Sequence, residues 1–169
     1  ALWEGGEITL QGGWGVYSRS ENRALTEDIL YGVGSVSKTY TAAAVLKLCE
    51  GGALTLETPV AEILPEFCMA DERYQSITVR MLLDHSSGLM GDSTRNAFLF
   101  DDTDPQAADA LLRRLATQRL KAEPGAYCVY SNDGYTLAEL VVEAASGMEY
   151  MDYVRAALLA PGELADTFA

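Results

Sequence analysis

The hydrophobic pattern of the chain changes period once, near Ser35, and that change limits the folds available to it. Before it, apolar residues sit in short runs broken by glycine: Ala1-Leu2-Trp3, Ile8-Thr9-Leu10, Val16-Tyr17 and Ile29-Leu30-Tyr31. After it, they recur at helical spacing, with few interruptions, to the end of the chain. The sequence therefore predicts strands over roughly the first thirty residues and a predominantly helical remainder. Glu4-Gly5-Gly6-Glu7 between two apolar runs predicts a tight hairpin, because both central positions accept positive φ. Gly12-Gly13-Trp14-Gly15-Val16-Tyr17 reads as the strand continuing with a bulge, and 18–28 as a polar loop.

The helical part carries its own punctuation. A buried helix runs from Ser35 through Val36, Tyr40, Ala43, Ala44, Leu46 and Leu48 and stops at Gly51-Gly52. Thr58-Pro59 opens a short helix as N-cap and first-turn proline, and Pro65 closes it. Thr78 caps a helix over 79–84, with Gly88 as its C-terminal glycine. The stretch 96–104 reads as irregular. Asp104-Pro105 begins an amphipathic helix with Ala108, Leu111, Leu112, Leu115 and Ala116 on one side. Further helices are expected over 135–146, ended by Gly147, and over 150–159. No internal repeat or low-complexity segment is visible.

Composition narrows the partners. With 169 residues, 49% hydrophobic and 22% charged, the chain is globular in character. A formal net charge of −13 argues against nucleic acid and anionic membrane, and no apolar run is long enough to span a bilayer. Cys49, Cys68 and Cys128 are too far apart for a zinc site or a disulfide framework, so free buried thiols are expected. His85 is the one histidine and so the only candidate base for a Ser-His-Asp triad.

Two stretches carry chemistry. In Gly34-Ser35-Val36-Ser37-Lys38-Thr39, Ser35 and Lys38 share a helix face. A serine hydroxyl needs a neighbour to take its proton, and a lysine of lowered pKa can do so. The free N–H groups of a first helical turn can steady an oxyanion. The plainer alternative makes Ser35 an N-cap and Lys38 a solvated residue. In Pro124-Gly125-Ala126-Tyr127-Cys128-Val129-Tyr130-Ser131-Asn132, a turn and an extended run lead into a helix, a place where side chains project into a cleft. Tyr130 can carry a proton if Lys38 lowers its pKa, and Asn132 can hold Lys38 and a substrate amide. The alternative is a core tyrosine and an asparagine cap.

Taken in order with Ile77-Thr78-Val79-Arg80-Met81-Leu82-Leu83-Asp84-His85-Ser86-Ser87-Gly88-Leu89, these stretches strongly resemble the serine β-lactamase and penicillin-binding-protein superfamily. The Y-x-N form of the second motif is similar to the class C β-lactamase, DD-peptidase and esterase-like branch. The resemblance runs to Thr167-Phe168. It implies an α/β fold, an antiparallel sheet plus a helical lobe, of which residues 1–34 supply sheet strands and 35–169 the lobe. It implies a serine acyl hydrolase acting on a β-lactam, a D-Ala-D-Ala-type peptide or an ester, in an extracytoplasmic setting. Ser35 would be the nucleophile, with its backbone N–H half of the oxyanion hole. Lys38 would accept its proton or lower the pKa of Tyr130; Tyr130 would relay the proton; Asn132 would orient Lys38 and the substrate. His85 matches a structural turn. No metal, nucleotide or prosthetic group is implied.

The family's third motif, K-T-G or H-x-G, does not occur after Asn132. Together with the missing first helix, this reads as an internal piece of a larger enzyme; no signal peptide is seen, and a leader could have been removed or never included. Weak hydrolysis is expected of it, along with an uncovered apolar face: Trp3, Ile8, Trp14 and the inner side of the serine helix. That face invites self-association. Three other readings were open. Gly32 to Thr39 approaches a phosphate-binding loop, but Ser37 stands where that loop needs glycine. A non-catalytic relative could bind peptidoglycan or a protein through the same cleft. Asp101-Asp102-Thr103-Asp104 lacks the glycine and distal glutamate of a calcium loop.

Overall fold

A computed structural model describes residues 1–26, 29–93, 107–164 and 166–167, with the side chains of 107–109 excluded. The predicted irregular stretch at 96–104, the acidic run Asp101–Asp104, the Asp104-Pro105 helix start and Phe168 lie outside these residues. The chain forms two compact units, Ala1–Gly34 and Ser35–Ala169.

The first unit is two small antiparallel hairpins. β1 (Leu2–Glu4) pairs with β2 (Glu7–Leu10), with Glu4 opposite Glu7. Gly5 and Gly6 both take positive φ (61° and 90°), which the two-residue turn requires. The strand does not continue through the following glycines as expected. Residues 11–15 pair with no strand among the described residues, since their three glycines give a ladder no side chains to pack. A second hairpin forms instead, β3 (Val16–Ser18) with β4 (Arg23–Ala24). The polar run 18–28 thus contains a strand, held where the Arg23 guanidinium lies 3.7 Å over the Tyr17 ring. Trp3 (68% exposed), Ile8 (53%) and Trp14 (83%) stand open to solvent.

The second unit is helical. A 3-10 turn, Gly34–Val36, leads into α1 (Ser37–Glu50); then come α2 (Val60–Ile63), α3 (Val79–Leu83), α4 (Ala107–Leu115), α5 (Asn132–Ser146) and α6 (Tyr150–Val154), which runs on as a π-helical turn over Arg155–Leu159. α5 is the hub. Its buried side, Tyr135, Leu137, Ala138, Val141 and Val142, packs against α1, α2, α3, α4 and α6. Fully burying one such aliphatic side chain contributes about 1.5–3 kcal/mol. The inner face of α1 is covered here, contrary to expectation: Thr41, Ala44, Val45 and Leu48 are buried. Val36 and Leu46 are exposed, so the helix is buried on one side only.

Several punctuation marks shift by a residue or more. Pro59, extended at φ −61° and ψ 134°, is the N-cap of α2, while the Thr58 hydroxyl accepts the Thr55 amide at 3.0 Å. Thr78 caps α3 as expected, its hydroxyl accepting the Met81 amide. The left-handed residue after α3 is His85 (φ 63°), not Gly88. Gly88 (φ 78°) is required further on, because a Cβ there would lie 2.5 Å from the Ala122 carbonyl oxygen. The Asp71 carboxylate takes two hydrogen bonds from the Arg73 guanidinium and one from the Leu120 amide, tying the turn at 72–76 to the segment after α4. The Arg73 hydrogen bond holds that carboxyl well below the usual range. The cysteines are free, but only Cys49 is partly buried; Cys68 and Cys128 are exposed, since neither lies on an inward helix face. No helix among the described residues is long and apolar enough to cross a membrane.

Candidate active site

Three elements of the second unit meet at one point. The turn before α1 presents Ser35, the first turn of α1 presents Lys38, and the junction between the extended run 126–130 and α5 presents Tyr130 and Asn132. The Ser35 Oγ and Tyr130 Oη are 2.6 Å apart. The Lys38 ammonium donates to Ser35 Oγ at 3.3 Å and to Asn132 Oδ1 at 2.8 Å. It also lies over the Tyr130 ring, 4.9 Å from the centroid, and 5.4 Å from that of Tyr135.

The plainer alternatives fail on geometry. Ser35 precedes α1 by two residues and does not cap it; the N-cap is Val36, with no side-chain hydrogen bond. Its amide lies in the 3-10 turn rather than in the α-helix itself. Tyr130 is 52% exposed and so is no core residue. Asn132 is not the cap of α5: the buried Ser131 is, its hydroxyl accepting the Gly134 amide at 3.0 Å. Such a cap contributes about 1 kcal/mol. Here it also releases the Asn132 carboxamide to face the lysine.

The Asn132 orientation is fixed from both ends. Its oxygen accepts from Lys38, and its nitrogen donates to Asp92 Oδ2 at 3.4 Å. Asp92 belongs to a loop stitched to the start of α5. The Asp133 amide donates to the Gly91 carbonyl at 3.1 Å, and the buried Asp133 carboxylate accepts the Ser93 amide and hydroxyl at 2.8 and 2.7 Å. A carboxylate in the first turn of a helix is favoured by the helix dipole.

The hydrogen bond with Lys38 lowers the Tyr130 phenol below its ordinary 10, the bond with Ser35 adds to this, and burial opposes both. Glu139 on α5 is pushed up to about 7 by burial and further by Glu143, against the pull of Lys38. Sequence reasoning missed Glu139, although Asn132, Thr136 and Glu139 follow the helical period on one face. It also missed Asp92 and Asp133, whose partner loop is remote in sequence. His85 contacts neither Ser35 nor Lys38 by hydrogen bond: its Nδ1 accepts the Ser131 amide at 3.2 Å.

The helical lobe thus sets a Ser-x-x-Lys pair against a Tyr-x-Asn segment. The chain belongs to the Beta-lactamase family, which it matches over residues 1–169. It is 35% identical over 148 residues to penicillin-binding protein 4 of Amycolatopsis lactamdurans, covering 87% of this chain and 38% of that one. It is 34% identical over 167 residues to esterase EstB of Burkholderia gladioli, covering 92% and 42%. Among solved structures it is similar to an octameric penicillin-binding protein homologue from Pyrococcus abyssi, with a TM-score of 0.78 and 28% identity over 96% of this chain and 38% of that one. The chain thus spans about two fifths of the length of these relatives. The phosphate-loop reading gives way here, because Lys38 is committed to Ser35 and Asn132.

Proposed function

We propose that the protein is a serine acyl hydrolase that works through a covalent acyl-enzyme on Ser35. Its substrate is a β-lactam, a D-Ala-D-Ala-type peptide or an ester. The observation that carries this is the 2.6 Å contact of the Ser35 hydroxyl with a tyrosine whose phenol is acidified by Lys38. A phenol lowered toward neutrality is a usable base at the serine and an acid at the leaving group. Tyr130 takes the Ser35 proton as Oγ attacks the carbonyl, and it passes that proton to the departing nitrogen or oxygen. Lys38 fixes the phenol and the serine electrostatically, and Asn132 fixes Lys38 and offers its amide to the substrate. The Ser35 amide supplies one oxyanion donor. The names of the relatives, a penicillin-binding protein and an esterase, support this range of substrates and an extracytoplasmic setting.

Turnover is expected to be slow with the Ser35 amide as the one oxyanion donor proposed here, since a second such donor is worth about 3 kcal/mol. Hydrolysis of a chromogenic cephalosporin and a p-nitrophenyl ester tests this: slow turnover with a trapped acyl-enzyme supports it, and turnover at ordinary enzymatic rates contradicts it. A protein that binds β-lactam without a covalent adduct would be the non-catalytic relative instead.

A further inference from the structure

We propose that His85 is the positioning residue for Tyr130, holding the phenol in reach of Ser35 only while its imidazole is the neutral Nε2–H tautomer. The inference rests on the acyl-transfer reading above and adds to it the device that places the proton carrier. His85 grips the segment on both sides of Tyr130. Its carbonyl accepts the Val129 amide at 2.9 Å, and its Nδ1 accepts the Ser131 amide at 3.2 Å. Between those two bonds its ring packs on the Tyr130 ring, with centroids 4.7 Å apart, and on the Tyr135 ring at 5.1 Å. The Tyr135 hydroxyl is in turn bonded to the Leu83 carbonyl at 2.9 Å, so the stack is anchored to the end of α3. His85 reaches this position by adopting a left-handed backbone, φ 63°, immediately after that helix. A bare turn would need the backbone geometry but not the acceptor nitrogen.

A ring nitrogen that accepts from a backbone N–H carries no proton, so the neutral ring must carry its proton on Nε2. The groups facing the imidazole are Lys38 from α1, Asp84 from the end of α3, and Tyr130 and Tyr135. Burial and then Lys38 hold the ring below its ordinary 6.5, and Asp84 pulls weakly the other way. Protonation would turn Nδ1 into a donor facing the Ser131 donor. The bond would break, and the Tyr130 segment would come off its anchor. His85 hydrogen-bonds to the backbone of Val129 and Ser131 rather than to Ser35 or Lys38, so its positioning effect runs through the Tyr130 segment; its charge, when protonated, would also act on Lys38.

The test compares His85→Asn, which keeps the tolerance for left-handed backbone and an acceptor oxygen, with His85→Ala, which keeps neither. Acylation of Ser35 is followed by intact mass across pH. Expected are a loss of about 100-fold in acylation rate for the alanine variant, near-native acylation for the asparagine variant, and, in the latter, loss of the part of the wild-type acid limb that follows the imidazole titration, the part set by Tyr130 remaining. Equal rates in the alanine variant and wild type overturn the proposal. Independently of activity, 15N spectra of the wild-type imidazole, assigned by its loss in His85→Asn, must show the Nε2–H tautomer at neutral pH and a titration shared with the Ser131 amide. An Nδ1–H tautomer, or a ring protonated at pH 7, overturns it even if the alanine variant fails to fold. Absence of acylation in wild type would sink the hydrolase reading while leaving the tautomer result to decide the positioning.

Discussion

The Tyr130 hydroxyl lies 2.6 Å from the Ser35 Oγ, across 95 residues of chain. Both side chains reach solvent: Ser35 is exposed and Tyr130 is half exposed. Their contact therefore buries little surface, and the proposed role of the pair can be tested apart from the fold. Tyr130→Phe removes the oxygen and leaves the ring against His85. Thermal stability should change little, while Ser35 acylation falls by about 10²- to 10⁴-fold. In an ultraviolet titration of the nine tyrosines, one is expected to ionise ahead of the rest and to vanish in this variant. A titration unchanged by the substitution would contradict the assignment.

Asn132→Ala removes the 2.8 Å acceptor of Lys38 and leaves the Ser131 cap in place. A hydrogen bond to a charged group is worth about 1.5–3 kcal/mol, so acylation should slow about 10- to 100-fold. The helix should stay formed. Circular dichroism together with acylation kinetics checks both halves, and loss of helix content would mean that Asn132 serves the fold.

The helices were legible in the sequence, and so was the clustering of Ser35, Lys38, Tyr130 and Asn132, because period and caps are local signals. What was misread depended on partners distant in sequence. Arg23-Ala24 became a strand because Arg23 covers Tyr17. Asn132 could pass for a cap because the true cap, Ser131, is its neighbour. His85 read as a turn residue because only the folded chain shows its Nδ1 against the Ser131 amide. The inner side of α1 read as uncovered because α5 lies some ninety residues downstream, yet its helical neighbours cover it fully.

Glu139 sets a pH dependence of stability. Its folded pKa, about 7, is raised above the ordinary 4.5. Its contribution to stability is therefore fully present below pH 4.5 and lost as pH rises through 7. Glu139→Gln should be more stable than wild type well above pH 7, by about 3 kcal/mol at most, with the difference closing as pH falls to 4.5. His85 acts in the opposite sense: its depressed pKa gives stability above 6.5 that is lost on acidification. The Glu139→Gln minus wild-type difference isolates the carboxyl. Denaturant melts at several pH values check it, and a pH-independent difference would contradict it.

The exposed Trp3, Ile8 and Trp14 are proposed to draw copies of the chain together. Sedimentation should show mass rising with concentration, and Trp3→Ser with Trp14→Ser should lower it. A monodisperse monomer at all concentrations would rule this out.

The central claim is that Ser35 becomes acylated. The direct measurement is intact and peptide-level mass spectrometry after incubation with a penicillin and with a fluorophosphonate. The account predicts one stoichiometric adduct, mapped to the peptide carrying Ser35 and absent in Ser35→Ala. An unmodified wild-type chain, or an adduct that persists in Ser35→Ala, would contradict it.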